Sequence, residues 1–577
     1  MTRLIAVLVV VLSAASAAAV DKEWNFAGPA DWTTDAYWTP WGMPGASDVV
    51  KINLSGAMPT ISTPGVYACD TFYMGYDVGG QGQWQMNQGV FHANAEYIGY
   101  AANSFNWAFQ NGGANLVAGT FAVGNAATSW GHYYMGTEAV ALQAAAIFVG
   151  AGGTGSLNQN AGAVTTGMLH IAAAPGSEGT YWLGGGTLDS TGGIASVGNS
   201  TLIMAGGTLN TYGSAITLTT LLVGDDANRN GNLVLSGDAT IGTERIGRGA
   251  VGTVTQNTGT HRVTGLLTLG IEAEGVGTLN LGGGNLDTST VTVGTAGAGH
   301  IVHSAGRHSV STALNIGNGS GSGTYDLSGT GILDAAAIRV GNGGAGTFNQ
   351  TGGTVSFLGD IYISAVPGGE GGTYNLGGTG HLYAPNVYVG YAYGGGFNQT
   401  GGTADLQTKL HVGYGGGSQG IYRMAGGTLA VPEIQVGNGL STTGRFEWFG
   451  GTVDTPLLHL DNGTLEMGFN FNMADLMSGD LLLGGGNITG LAQNQLGVSN
   501  GATATHSGTT SATVGWLTVG SWNGVYNLSD NATLAVNGMA LGWGGTGTFN
   551  QTGGTATVAD ITWACPATAN ITCRTVP

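Results

Sequence analysis

The sequence predicts an all-β protein: a single long parallel β-helix, or β-solenoid, of about 20 coils of 23–24 residues behind an N-terminal cap. Three observations carry this. Glycine supplies 111 residues and only 8% of residues are charged, yet 42% are hydrophobic, which argues against disorder by low hydrophobicity. An apolar-x-apolar-Gly step returns at near-constant spacing. A second, aromatic mark returns midway between those steps.

The step is clearest at Val223-Gly224, Ile246-Gly247, Leu269-Gly270, Val293-Gly294, Ile316-Gly317 and Val340-Gly341, where successive glycines lie 23, 23, 24, 23 and 24 residues apart. It continues through a degenerate Ile363-Ser364 to Gly390, Gly413 and Gly437, and it reaches back through Gly150, Gly124 and Gly99 to Gly75. Between Leu460 and Gly497 the gap is 37, which predicts one coil carrying an insertion over 461–497. The second mark reads Thr347-Phe348-Asn349-Gln350-Thr351-Gly352-Gly353-Thr354 and recurs around Phe397 and Phe549.

Within a unit, apolar and polar residues alternate, as in Ile338-Arg339-Val340, which is the pattern of a strand with two different faces. Gly-Gly and Gly-Thr break every unit too often for helices. Short strands closing into a coil, each hydrogen-bonded to the same strand of the next coil, satisfy both periods. Equivalent residues then stack about 4.8 Å apart, and the coils together form a rod of roughly 90–100 Å. Tyr325, Phe348, Tyr374, Phe397, Tyr422 and Phe446 are expected as one inward file. Leu327, Gln350, Leu376, Gln399, Met424 and Trp448 lie two residues further on the same face. The alternation of Gln with Leu has a period of two coils, for which the sequence offers no cause. Asn349, Asn375 and Asn398, with Asp326, face outward or sit at a corner, where amides can donate and accept along a ladder. Glycine after each apolar step lets the backbone turn with positive φ.

The remaining segments follow from composition. Residues 1–19 read as a secretory signal peptide: Arg3, an apolar run Leu4 to Leu12, and an Ala-rich exit ending at Ala19. That run is too short to span a bilayer, so no membrane-spanning segment is expected in the mature chain. Residues 20–71 hold Trp24, Trp32, Trp38 and Trp41 and lack the repeat, as a cap over a sticky solenoid end should. Repeats are assigned to 72–564 and a tail to 565–577. Cys565 and Cys573 can close a small disulfide loop in an oxidising compartment, and two free thiols are the equal alternative. Net charge is −19 with three lysines, so nucleic acid and anionic membrane are poor partners. Extracellular polysaccharide, other surface proteins and self-association remain.

The unit Val340 to Thr354 resembles the repeat shared by autotransporter passengers and PEP-CTERM surface proteins of bacteria, and Trp24 to Val50 is similar to the start of such proteins. The resemblance covers roughly residues 72–564. It implies export, a right-handed β-helix and an extracellular or cell-surface location, with no assigned chemistry. Neither a C-terminal β-barrel pattern nor a Pro-Glu-Pro sorting tail accompanies it.

β-Helices also carry polysaccharide lyases and hydrolases, whose catalytic carboxylates would have to share a phase across neighbouring coils. Asp287, Asp334 and Asp454 each lie 17 residues after a marking glycine. Asp287 and Asp334 fall two coils apart with Ser311 expected between them and no Arg or Lys in phase, a separation of roughly 9–10 Å that reaches the outer range for an inverting carboxylate pair. They form the alternative catalytic pair; solvated corner acids are the plainer reading. His300, His303 and His308 are expected as surface histidines rather than metal ligands. Gly416 to Gly420 formally matches a nucleophile elbow, but no helix is expected after it. No cofactor or metal site is expected. The favoured function is therefore a secreted or cell-surface structural or adhesive β-solenoid without catalysis. The alternative is a carbohydrate-active or carbohydrate-binding β-helix, with Tyr388, Tyr391 and Tyr393 available to stack on sugars.

Overall fold

A computed structural model of the chain describes residues 19–136, 140–225, 229–357, 359–367, 370–438, 443–455, 457–460, 463–467, 471–472, 480–483, 487–489, 495–498, 503–508, 511–520, 524–542, 545–563 and 569–573. Among these, strands and tight turns make up the fold, with one 3-10 turn at Asp35–Tyr37. The signal-peptide residues up to 18, and Cys565 of the expected cysteine pair, lie outside the described residues. The chain divides into two compact units, residues 1–202 with 207–219, and residues 203–206 with 220–577.

The first unit is a stack of parallel coils. One of its ladders runs from Val49–Ile52 through Thr71–Met74, Ala95–Ile98 and Gly113–Val123 to Val140–Val149. The segment expected as a cap is wound into it: Asp21–Trp24 pairs in parallel with Val49–Ile52 and antiparallel with Trp38–Thr39. Trp24, Trp32 and Trp38 are fully buried there, packed edge to face at centroid distances of 5.0 and 4.8 Å. Cys69 is a buried free thiol.

The second unit has three strands per coil. Ile338–Asn342, Gly346–Gln350 and Thr354–Phe357 pair in parallel with Ile361–Ile363, Gly372–Leu376 and His381–Val389 of the next coil. The expected aromatic file is present. Tyr325, Phe348, Tyr374, Phe397, Tyr422 and Phe446 stand in register, all buried, with successive ring centroids 4.9, 4.6, 4.8, 4.6 and 5.4 Å apart. Burying each such side chain contributes about 1.5–3 kcal/mol. No single coil could cover these rings alone, which is why stability resides in stacking.

The structure supplies the cause of the Gln–Leu alternation. A tyrosine placed in the file buries a hydroxyl that must find a partner. Tyr374 donates to Oε1 of Gln350 in the preceding coil at 2.7 Å, and Tyr422 donates to Oε1 of Gln399 at 2.5 Å. The glutamine's Nε2 in turn donates to two carbonyls: for Gln350 these are Gly353 at 3.2 Å and His381 of the next coil at 2.9 Å. A Phe–Gln coil is thus followed by a coil with Tyr and an apolar residue, Leu376 or Met424, and two coils make one polar circuit. The first unit uses the same device at Tyr133 with Gln110, 2.9 Å, and at Tyr181 with Gln159, 2.6 Å.

Two corner positions show why glycine recurs. Gly341 has φ +74, and a Cβ there would lie 2.5 Å from the backbone nitrogen of Gly372 in the next coil. Gly353 has φ +66, and its Cβ would lie 2.4 Å from the Gly331 carbonyl. At the degenerate step, Ser364 adopts φ +60 and offsets the strain by accepting from the Gly372 amide at 2.8 Å and donating to the Gly394 carbonyl at 2.5 Å.

On the outer face the amide ladder forms as expected. Asn398 donates to Asn375 (2.9 Å), Asn375 to Asn349 (2.7 Å), and Asn349 to Asp326 (2.7 Å). Residues 461–497, expected as one coil with an insertion, lie partly outside the described residues. The strands described there shift the ladders by one strand. Leu457–Leu460 pairs with Asp480–Leu483, which pairs not with another apolar-Gly strand but with Thr503–His506 of the aromatic-type face. Ala504, Tyr526 and Phe549 then resume the file, and Tyr526 meets Nδ1 of His506 at 2.9 Å.

Candidate functional site

The strongest concentration of chemistry outside the core lies on the third strands of successive coils in the second unit. There Thr260–Leu269, Asn285–Val293, Arg307–Asn318 and Ile332–Ala335 pair in parallel. Residues facing inward, such as Val263, Leu286, Val310 and Leu333, are buried and set the register; the residues between them face out. Arg262, Asp287, Ser309 and Asp334 therefore form one outward column, a strand spacing apart. Asp405 and Asp454 continue it further along.

Two expectations need correcting here. The residue between Asp287 and Asp334 is Ser309, not Ser311, and an arginine does share the phase: Arg262 is paired directly with Asp287. Both errors have one origin. Turns between the marking glycine and the third strand differ by two residues among coils, so Arg262 and Ser309 lie 15 residues after their glycines while Asp287 and Asp334 lie 17 after theirs. Aligning the strands themselves, His261-Arg262-Val263 over Leu286-Asp287-Thr288 and Leu333-Asp334-Ala335, would have found the arginine.

Asp287 and Asp334 each have a guanidinium partner. Arg262 Nη2 lies 3.4 Å from Asp287 Oδ2, and Arg307 Nε lies 2.7 Å from Asp334 Oδ2. Asp334 is the more enclosed acid; burial pushes its pKa up, against the opposing pull of Arg307. The column borders a groove of about 840 Å³ whose lining includes the small side chains Ser289, Ser311 and Ala336. Two coil spacings separate the acids, roughly 9–10 Å along the backbone. Arg307, 2.7 Å from Asp334, opposes the rise in its pKa without cancelling it, and the spacing of the two acids stands at the outer limit for a concerted carboxylate pair. The geometry suits binding through hydrogen bonds better than proton transfer.

The core under this groove is unusually polar. His303 and His308, expected at the surface, are fully buried; only His300, paired with Asp326 at 2.7 Å, faces outward. His303 stands where other coils have glutamine. Its Nε2 donates to the Gly306 carbonyl at 3.1 Å, so its Nδ1 accepts from Tyr325 at 2.9 Å. His308 contacts Tyr325 at 3.1 Å through Nδ1 and Thr288 at 3.2 Å through Nε2. His261 forms a buried pair with Glu244 at 2.8 Å. Burial lowers the pKa of both His303 and His308, keeping the imidazoles neutral.

The exposed aromatics are arranged as ladders. Tyr388 lies between Tyr362 at 5.1 Å and His411 at 4.5 Å, nearly parallel to both, so both of its faces are covered. Tyr391 stacks on Tyr414 at 5.4 Å. These rings offer edges to solvent, which disfavours stacking a sugar on Tyr388; Tyr393 is 48% exposed. Ser418, in the Gly416 to Gly420 string, precedes the strand Gln419–Ala430 rather than a helix. Among the described residues no group of three His, Cys, Asp or Glu side chains is placed to hold a metal ion.

No family model, curated protein or solved structure matches the chain.

Proposed function

We propose that the protein is an exported, cell-surface β-solenoid of the kind its repeat resembles, acting as a structural or adhesive scaffold without catalysis. One observation supports this reading above others: the residues that recur in phase serve coil-to-coil stacking. The aromatics fill the file, the glutamines accept from tyrosines, the asparagines bond along the ladder and the glycines turn corners. The sequence is therefore organised around length and surface.

The competing reading is a carbohydrate-active enzyme using Asp287 and Asp334. The two are separated by incubating the full chain, without residues 1–19, with a panel of plant, algal and bacterial polysaccharides. The scaffold reading expects no new reducing ends and no unsaturated uronate products. Release of either, abolished in Asp334→Asn, overturns it.

A further inference from the structure

We propose that the groove along Arg262, Asp287, Arg307, Ser309 and Asp334 is a binding row for a neutral, linear oligosaccharide lying parallel to the stack of coils. This deepens the adhesive reading above and rests on it. The polar groups repeat at one strand spacing, about 4.8 Å, over four successive coils, so a ligand that uses them all must itself repeat polar groups along a line. A short metabolite would engage one coil; a polymer engages the row.

Charge selects the class of polymer. Two guanidiniums and two carboxylates leave the row itself neutral, and each pair retains unused capacity. Arg307 meets Asp334 through Nε, leaving N–H donors over, while a carboxylate can accept from several partners. Neighbouring hydroxyls of a sugar both donate and accept, so they can bridge such a pair without breaking it. A polyanion would have to displace the aspartates and approach a chain of net charge −19. The small side chains of Ser289, Ser311 and Ala336 in the lining leave the sugar ring room. Thr288 Oγ1 lies 3.1 Å from the Ser309 carbonyl and also contacts buried His308, which ties the groove's central strand to the core and pre-forms the row.

Calorimetric titration of the full chain, without residues 1–19, tests this with neutral hexasaccharides (cellohexaose, xylohexaose, mannohexaose and laminarihexaose) and with hexagalacturonate as the acidic counterpart. At least one neutral probe is expected to bind. Arg307→Ala and Asp334→Ala should each weaken it by about tenfold or more with unchanged melting temperature, since both side chains are partly exposed. Tyr362→Ala, outside the groove, should leave affinity unchanged. Absence of binding by every neutral probe, binding of hexagalacturonate alone, or unaltered affinity in both groove variants overturns the assignment. If binding is lost in the variants but the wild type also cleaves the probe, the groove stands and the non-catalytic reading falls.

Discussion

Tyr374 donates its phenolic hydrogen to Gln350, one coil earlier, whereas Leu279 occupies the equivalent place over Gln256. Gln256 still donates to the carbonyls of Gly259 and Asn285, at 3.2 and 2.9 Å, but no donor among the described residues reaches its buried Oε1. Leu279→Tyr should supply that donor and stabilise the protein by about 1 kcal/mol in equilibrium denaturation. A loss larger than that would show that the ring does not fit over Gln256 as it fits over Gln350.

The converse change is Tyr374→Phe. It recreates at Gln350 the unpaired carbonyl seen at Gln256 and should cost about 1–3 kcal/mol. In a double-mutant cycle with Gln350→Met the two effects should be strongly non-additive. Additive effects would mean that the 2.7 Å contact contributes nothing.

Gly341→Val places a β-branched side chain at φ +74 and a Cβ within 2.5 Å of the next coil's backbone. The expected cost is about 2–5 kcal/mol, from dihedral strain and the clash together. Hydrogen exchange should show the opening confined to this coil and its neighbours, because contacts in a solenoid are made between adjacent coils. Uniform loss of protection along the unit would contradict that locality.

In the first unit, Glu96 is fully buried and its pKa is pushed up to about 8 by burial, with one hydrogen bond from Asn115 at 2.8 Å pulling the other way. The folded state therefore holds a proton that the unfolded chain releases near pH 4.5. The sign follows. Stability from this group is intact below pH 4.5 and falls as pH rises towards 8, by about 1.4 kcal/mol per unit at most. Glu96→Gln should remove the slope, giving a higher melting temperature than wild type at pH 8.5 and a similar one at pH 4.5. Parallel melting curves for the two proteins across that range would refute a buried protonated acid.

The second unit carries the opposite slope. His303 and His308 have lowered pKa values, so below pH 6.5 the unfolded chain gains protons that the folded core resists. Stability present above that pH is lost progressively on acidification. His308 faces Tyr325, Thr288, His303 and, two coils earlier in the same ladder, His261 with its partner Glu244. His303→Gln restores the glutamine used in other coils, so it should match wild type at pH 7.5 and exceed it at pH 5 in chemical denaturation. Equal acid sensitivity in both proteins would remove His303 from the cause.

The repeat was legible because stacking imposes it directly: Phe348, Tyr374 and Phe397 must be alike if they are to lie in one file, and Gly341 must be glycine if the next coil is to approach. The candidate groove was half legible. Asp287 and Asp334 shared a phase, but Arg262, Ser309 and Arg307 did not, because turn length varies between the marking glycine and the third strand while pairing follows the strands. The buried histidines were hidden for a related reason. His303 takes the part of Gln350 through hydrogen-bonding capacity rather than residue identity, which a search for repeated letters does not detect. The covered faces of Tyr388 depend on residues one coil to either side, Tyr362 and His411, and become visible only when coils are laid in register.

Disulfide trapping between successive coils tests the stacking most directly. Asn349 and Asn375 are cross-coil partners in register, and a strand spacing falls within the Cα range a disulfide accepts. Asn349→Cys with Asn375→Cys should cross-link readily under mild oxidation, as read by mass spectrometry of non-reduced digests. Asn349→Cys with Thr373→Cys, displaced by two residues along the strand, should not. Efficient cross-linking of the displaced pair, with none in the aligned pair, would contradict the register on which every ladder described above depends.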